Sequence, residues 1–168
     1  WLRVSGGNSV LPPWVGMQFP KTKTLLKELR DQPCNQPDCS YCKVMHDPRS
    51  ELNRYFGFSE FRAEPANLQG GSLQEDIVTS GMRGEHLLAI LPTGGGKSLC
   101  YQLPALNRYW RNGSLTVIIS PLQSLMKDQV DNLEARGITC AGYLNSLLTP
   151  FERRVMLDKL RLGDLGLI

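Results

Sequence analysis

Apolar runs alternate with amphipathic stretches through the second half of this 168-residue chain. Short runs rich in Leu, Ile and Val predict buried strands at 87–91, 116–119, 138–144 and 165–168. Leucines at helical spacing predict helices between them, at 99–110, 121–136 and 149–162. Capping-box patterns, Ser120–Gln123 and Thr149–Glu152, mark the start of the last two helices. Strands that alternate with helices favour an α/β fold, a parallel sheet with helices on both faces.

The first half of the chain has a weaker pattern. Residues 1–20 contain glycines and prolines without a hydrophobic period, which indicates a loop or an irregular arm. Amphipathic spacing predicts short helices at 21–30 and 73–80. We therefore divide the sequence into an N-terminal arm, residues 1–50, and an α/β domain, residues 51–168.

A glycine turn follows the first predicted strand and consists of Pro92, Thr93, Gly94, Gly95 and Gly96. Because Lys97, Ser98 and a predicted helix come next, the order is that of a phosphate-binding loop. Glycines let successive N–H groups converge on an anion, and the helix N-terminus adds its positive dipole end. We expect Lys97 to contact the β- and γ-phosphates and Ser98 to hold a magnesium ion. Leu91 replaces the first glycine of the general motif, and the competing interpretation is a glycine-rich surface turn.

A Cys/His-rich segment lies in the N-terminal arm and has the spacing C-x4-C-x2-C-x3-H, at Cys34, Cys39, Cys42 and His46. Three thiolates and an imidazole suit a tetrahedral zinc ion. The alternatives are reduced surface cysteines beside an unrelated histidine, or an iron–sulfur cluster that recruits a later cysteine. The other two cysteines, Cys100 and Cys140, are expected to pack rather than react.

Composition and charge exclude little. With 41% hydrophobic and 21% charged residues the chain is typical of globular proteins, and a net charge of +3 does not by itself imply a polyanionic partner. No apolar stretch has the length of a membrane span, and no secretory leader is present, so we expect a protein of the bacterial cytoplasm or of a nucleus. Because the chain begins at Trp1 and ends on an apolar run, we expect it to be a piece of a longer protein.

From Phe56 to its end the chain resembles the RecQ family of ATP-dependent DNA helicases. The resemblance is carried by LPTGGGKSLCYQLPAL, by SPLQSLMKDQV and by LNS, and that family does not require the glycine that Leu91 replaces. It implies that residues 51–168 are the N-terminal part of a RecA-like helicase domain that binds ATP and Mg2+. It also implies a protein that moves 3′ to 5′ along single-stranded or forked DNA.

The resemblance further implies an adenine-recognition motif, F-G-[YF]…F-R followed by a glutamine. Phe58 and Arg62 match its aromatic and arginine positions, and an aromatic ring and a guanidinium plane can sandwich adenine. A glutamine amide can accept a hydrogen bond from adenine N6 and donate one to N7. Gln74 is the expected glutamine and Gln69 the runner-up, because residues 63–73 make the spacing longer than the family pattern. A solvated residue at a helix start is the plain alternative for Gln74.

Two segments resemble the parts of the family that touch the DNA backbone. Ser120, Gln123 and Lys127 are the contacts implied in motif Ia, and Asn145 and Ser146 those implied in LNS. Hydroxyl, amide and N–H groups at the top of a sheet can donate to phosphates, which positions the DNA without reading its sequence. Ordinary capping or solvation is the competing interpretation for each residue.

The 168 residues contain no D-E-x-H sequence and no second motor domain with its arginine finger, which the family uses for hydrolysis. Because phosphoryl transfer depends on those charges, we expect this polypeptide to bind nucleotide weakly without hydrolysing ATP or unwinding DNA. One rival function is a DEAD-box RNA helicase, whose loop usually reads A-x-T-G-x-G-K-T. Another is a non-catalytic adaptor made of a zinc knuckle and a degraded nucleotide fold. A small-molecule kinase is more distant, since SPLQSLMKDQV has no role there.

Overall fold

The structure, a computed structural model, describes residues 2–3, 9–10, 13–22, 24–25 and 36–168. Two short strands, β1 (Leu2–Arg3) and β2 (Ser9–Val10), pair antiparallel. The helices that lie entirely within the described residues are α1 (Pro13–Gln18), α2 (Ser40–Met45), α3 (Pro48–Phe56), α4 (Leu73–Arg83), α5 (Lys97–Asn112), α6 (Gln123–Glu134) and α7 (Pro150–Leu162). None of the described helices is both long and apolar enough to cross a membrane.

The chain forms two compact units. The first unit comprises Trp1–Lys27 and Arg108–Ile168, and the second unit comprises Glu28–Asn107. The helices predicted at 73–80, 99–110, 121–136 and 149–162 are confirmed as α4, α5, α6 and α7. Most of the helix predicted at 21–30 lies outside the described residues.

The core of the second unit lies between α3, α4 and α5. Its fully buried aliphatic side chains are Leu52, Val78, Leu103 and Leu106. Gly81 of α4 approaches α5 so closely that a Cβ there would lie 2.9 Å from Pro104 Cγ. Although Pro104 has no N–H to donate, α5 continues through it to Asn112. This packing sets the position of α4 against α5, which is the helix that follows the glycine turn.

A buried polar cluster joins the same helices. Asn107 Nδ2 of α5 donates to the Met45 carbonyl oxygen at 2.7 Å and to Glu51 Oε2 at 3.0 Å. Glu51 and Asn107 are both 0% exposed, and Arg54 pairs with Glu51 Oε1 at 3.2 Å. A carboxylate without water needs such donors, so the cluster ties α2 and α3 to α5.

The predicted parallel sheet is not confirmed, because no regular strand forms within residues 36–168. The expected strands at 87–91, 116–119, 138–144 and 165–168 are wrong as regular strands. In the first unit Leu167 makes single parallel bridges to Thr116 and Ala141, so its segment lies between theirs. The run at 87–91 has no ladder partner among the described residues, and Leu88 and Ile90 are 89% and 83% exposed. A strand requires a hydrogen-bonded neighbour, and an apolar run without one stays extended chain.

The two predicted capping boxes have different outcomes. Helix α6 begins at Gln123 after Leu122, which provides no side-chain cap, so the capping box at Ser120 is wrong. Ser120 Oγ instead accepts a hydrogen bond from Leu122 N at 3.3 Å, within its own turn. The capping box of α7 is confirmed, with Thr149 Oγ1 accepting from Glu152 N at 3.2 Å and Glu152 Oε2 accepting from Thr149 N at 2.8 Å. Hydrogen bonds from the Thr149 hydroxyl and then its N–H lower the pKa of Glu152.

Candidate nucleotide-binding and DNA-binding sites

The glycine turn links an extended segment to α5 in the second unit. Gly94 and Gly96 have φ angles of 79° and 75°, which glycine adopts without the steric cost that a Cβ would bring. Gly95 N donates to the Pro92 carbonyl oxygen at 3.1 Å and closes the turn. Thr93 lies exposed within it. The predicted loop residues therefore form a tight turn directly before a helix.

Lys97 and Ser98 are the first two residues of α5, a helix of 16 residues. The first N–H groups of a helix lack intrahelical acceptors, and the dipole of the helix favours an anion beside them. The Lys97 side chain is exposed and Ser98 is half-buried. A cation, a hydroxyl and free N–H groups thus occupy one helix end, as the sequence predicts.

Gln74, the first-turn residue of α4, holds the end of the glycine turn. It is 2% exposed, and its Oε1 accepts from Arg62 N at 3.1 Å while its Nε2 donates to the Gly96 carbonyl oxygen at 3.1 Å. The same carbonyl accepts from Leu99 N at 3.2 Å. In a trans peptide the N–H points opposite to the C=O. Fixing the Gly96 carbonyl toward Gln74 therefore directs the Lys97 N–H away from Gln74.

Position 96 requires glycine for two reasons, its positive φ angle and the lack of room for a side chain. A Cβ at this position would lie 2.1 Å from Gln74 Nε2 and 3.5 Å from Arg62 Cδ. Real Cβ atoms are not found this close to other heavy atoms, so any side chain at position 96 would displace the Gln74 amide.

Arg62 contacts the other end of the turn, since its Nη1 donates to the Gly94 carbonyl oxygen. The structure thus brings Arg62 and Gln74 to the predicted phosphate loop. Phe58 lies on the surface of the same unit and is 48% exposed. Gln69, the runner-up, belongs to an exposed loop in which its N–H donates to Asn67 Oδ1 at 2.9 Å.

Two of the predicted DNA-contacting segments meet in the first unit. Gln123 Nε2, at the start of α6, donates to Ser146 Oγ at 2.8 Å. Asn145 Oδ1 accepts from Leu147 N at 3.0 Å and shapes the turn that carries Ser146. A single polar patch therefore contains residues from motif Ia and from LNS.

The remaining predicted DNA contacts have local partners. Lys127 Nζ pairs with Asp131 Oδ2 at 2.6 Å, one turn further along α6, and this hydrogen bond raises the pKa of Lys127. Ser120 Oγ bonds within its own turn. Neither contact joins these two residues to the patch of Gln123 and Ser146.

Arg153 is a neighbour of this patch that the sequence interpretation missed. It lies in the first turn of α7, and its Nη2 donates to the Asn145 carbonyl oxygen at 3.1 Å. The available signal was the basic pair Arg153 and Arg154 directly after the Thr149 capping box. That signal is weak, because adjacent arginines at a helix start are also common on solvated surfaces.

The Cys/His-rich segment gives no support to a metal site. Cys34 lies outside the described residues, Cys39 precedes α2, Cys42 lies in it and His46 follows it. Among the residues that the structure does describe, no three His, Cys, Asp or Glu side chains are arranged to hold a metal ion. The two cysteines outside this segment, Cys100 and Cys140, form no disulfide within the described part of the chain.

Comparison with known proteins decides the family. Residues 72–165, more than half of the chain, match the DEAD/DEAH box helicase family. The chain belongs to the DEAD/DEAH box helicase family. The match includes Gln74, the glycine turn and the patch around Ser146, whereas Phe58 and Arg62 precede it. Membership implies the RecA-like fold, whose parallel order is visible here in the bridges of Leu167.

Relatives of this helicase-family chain confirm the resemblance to RecQ. It is 46% identical over 107 residues to a probable ATP-dependent DNA helicase RecS of Bacillus subtilis, covering 64% of this chain and 19% of the relative. It is 41% identical over 128 residues to the ATP-dependent DNA helicase RecQ of Haemophilus influenzae, covering 75% and 18%. It is 40% identical over 113 residues to the mouse ATP-dependent DNA helicase Q5, covering 67% and 10%. The chain thus spans less than a fifth of the length of these relatives.

Proposed function

We propose that this chain is the part of an ATP-dependent DNA helicase that binds ATP with Mg2+ and contacts the DNA backbone. The observation that carries the proposal is the glycine turn at the N-terminus of α5, with the carbonyls of Gly94 and Gly96 held by Arg62 and Gln74. Those contacts leave the N–H side of the turn for an anion. The relatives that share this stretch are named ATP-dependent DNA helicases.

The residues of the turn fit a triphosphate and its metal ion. Lys97 supplies a mobile positive charge for the β- and γ-phosphates, beside the free N–H groups of the first turn of α5. Ser98 supplies a hydroxyl oxygen, which is the kind of ligand that Mg2+ prefers. When bound, Mg2+ neutralises charge on the phosphate oxygens.

Adenine is proposed to bind between the Phe58 ring and the Arg62 guanidinium plane, with Gln74 as its polar contact. An amide has two N–H donors and two acceptor lone pairs, and the protein uses one of each in Gln74. The remaining donor and lone pair match N7 and the N6 amino group of adenine. Guanine has the acceptor O6 where adenine has the N6 donor, so ATP is the proposed nucleotide.

The test is a titration with a fluorescent ATP analogue in Mg2+, comparing the wild-type chain with Lys97→Ala. Loss of a hydrogen-bonded charge is worth roughly 1.5–3 kcal/mol, which corresponds to an affinity about 10- to 150-fold weaker. Lys43→Ala is the matched control, because Lys43 is an exposed lysine of the same unit that pairs with Asp38 at 2.8 Å. Equal affinities for the Lys97 and Lys43 variants would overturn the phosphate-loop assignment.

DNA contact is proposed at the patch of Gln123, Asn145 and Ser146, with Ser120 and Lys127 as further backbone contacts. Lys127 would exchange its partner Asp131 for a phosphate. An oligonucleotide titration with Ser146→Ala checks the patch, and a parallel titration with RNA tests the rival RNA helicase.

Hydrolysis is a separate question, since these 168 residues contain no D-E-x-H sequence. We expect the polypeptide to bind ATP without releasing phosphate, with or without DNA. The whole helicase would couple ATP hydrolysis to 3′-to-5′ movement. A phosphate-release assay on this chain gives the answer, and steady DNA-stimulated release would contradict the expectation.

A further inference from the structure

We infer that Arg153 is a further DNA-phosphate contact of this chain and that it acts through its charge beside Asn145. The inference rests on the proposed DNA binding by the patch of Gln123, Asn145 and Ser146. It assigns a role to a residue of α7, a helix that the predicted contacts do not include.

The geometry places the Arg153 guanidinium at the edge of that patch. Its Nη2 lies 3.1 Å from the carbonyl oxygen of Asn145, and the next residue, Ser146, receives the hydrogen bond of Gln123 at 2.8 Å. One hydrogen bond to a backbone carbonyl holds the side chain in place. Four of the five N–H groups of a guanidinium then remain, enough for the bidentate contact that arginine makes with phosphate.

The charge of Arg153 differs from those of Lys127 and Arg161 in having no ion-pair partner among the described residues. Lys127 is paired with Asp131 at 2.6 Å, and Arg161, further along α7, is paired with Asp158 at 3.1 Å. Arg153 makes no ion pair with any residue that the structure describes, and its hydrogen-bond acceptor is neutral. The adjacent carboxylate, Glu152, is occupied by the Thr149 cap. A full positive charge therefore remains beside the proposed DNA-contacting turn.

A purely structural role for Arg153 is the competing explanation, because its hydrogen bond could serve only to hold the Asn145 turn. The two roles differ in what they require. Holding the turn requires a donor, which glutamine also has, whereas contact with phosphate requires a charge, which lysine retains. Binding of a phosphate also releases counterions, so only the second role changes the salt dependence of DNA affinity.

The experiment measures binding of a labelled oligo(dT) by fluorescence anisotropy over a range of salt concentrations. It uses the 168-residue chain without nucleotide and the variants Arg153→Gln and Arg153→Lys. Arg161→Gln is the matched control, because it removes the same charge from the same helix at a residue that is already paired with Asp158. Circular dichroism of each variant verifies folding.

For Arg153→Gln we expect the slope of log K against log salt to become smaller in magnitude by about 0.7, the value for one contact to single-stranded nucleic acid. We expect Arg153→Lys and Arg161→Gln to keep the wild-type slope. Equal slopes for Arg153→Gln and Arg161→Gln would overturn the role of Arg153 while leaving the DNA-binding proposal in place. If Arg153→Gln does not fold, Arg153→Lys is used instead. A slope smaller in magnitude than that of the wild type would then overturn the role of the Arg153 charge, because lysine keeps that charge. A wild-type chain that does not bind oligo(dT) would overturn both proposals.

Discussion

The buried pair of Glu51 and Asn107 allows a sharp test of how α3 is joined to α5, the helix that follows the glycine turn. We predict that Asn107→Asp, which changes one nitrogen to oxygen without changing shape, strongly destabilises the chain at pH 7 and much less at pH 5. Asn107 Nδ2, which donates to Glu51 Oε2 at 3.0 Å, would become a carboxylate oxygen that faces a second carboxylate. The Met45 carbonyl oxygen, which accepts from the same nitrogen at 2.7 Å, would also lose its donor.

The magnitude follows from the distance and from proton uptake. Two unit charges 3.0 Å apart repel by about 5.5 kcal/mol at an effective dielectric constant of about 20. The new pair can avoid this repulsion by binding a proton. Protonating one carboxyl with an ordinary pKa of about 4 costs about 4 kcal/mol at pH 7 and about 1.4 kcal/mol at pH 5. Proton uptake therefore sets the expected loss of unfolding free energy at each pH.

Urea unfolding followed by circular dichroism at pH 7 and pH 5 measures this loss. Asn53→Asp is the control, since it makes the same charge change at an exposed residue of α3. Combining Asn107→Asp with Glu51→Gln restores a donor–acceptor pair and should recover part of the loss at pH 7. A loss below about 1 kcal/mol at pH 7, or an equal loss at both pH values, would refute the argument that the two side chains are buried together.

Three further predictions follow from local contacts. Gly96→Ala should weaken ATP-analogue binding far more than Gly137→Ala, because both glycines have positive φ but a Cβ at 137 meets nothing within 4 Å; similar affinities would contradict the close contact. Thr149→Ala should lower the melting temperature more at pH 7 than at pH 3. Because the pKa of Glu152 is lowered in the folded chain, its capping bonds contribute fully to stability well above pH 4.5, and this contribution is lost as the pH falls through the lowered pKa. Equal decreases in melting temperature at pH 7 and pH 3 would contradict this contribution of the Glu152 carboxylate. Burial raises the pKa of Cys140 to about 11, so iodoacetamide at pH 8 should label it slowly until urea is added, and fast labelling of the folded chain would show an accessible thiol.

Several features of the chain could be predicted because they depend on neighbouring residues in the sequence. Helix α7 begins where its capping box predicts, since Thr149 and Glu152 satisfy each other's backbone N–H groups within one turn. The glycine turn and the helix after it were likewise predicted, because three glycines allow the backbone to bend and Lys97 can begin a helix. Cys140 was expected to be a packed thiol, and it is 5% exposed.

Other predictions failed because they depend on partners far away in the chain. The apolar run at 87–91 has the composition of a strand, but a strand also needs a neighbouring backbone with matching hydrogen bonds, and this run has none among the described residues. The run at 116–119 is hydrogen-bonded to the segment at 166–168, but the two form only a single bridge. At Ser120 the capping pattern was present, yet the hydroxyl bonds Leu122 within a turn and the helix begins later. A short polar side chain can either cap a helix or form a hydrogen bond within a turn, and the sequence pattern does not distinguish the two.

The sequence by itself determined the family of this protein and the position of its glycine turn, because those depend on an ordered string of residues whose chemistry is local. Only the tertiary structure decided which groups hold that turn. Gln74 reaches Gly96 across 22 positions of sequence, and Arg62 reaches Gly94 across 32. Only the fold brought Asn107 to Glu51 and Arg153 to Asn145. Such contacts depend on how helices pack, and packing is a property of the whole chain rather than of any one segment.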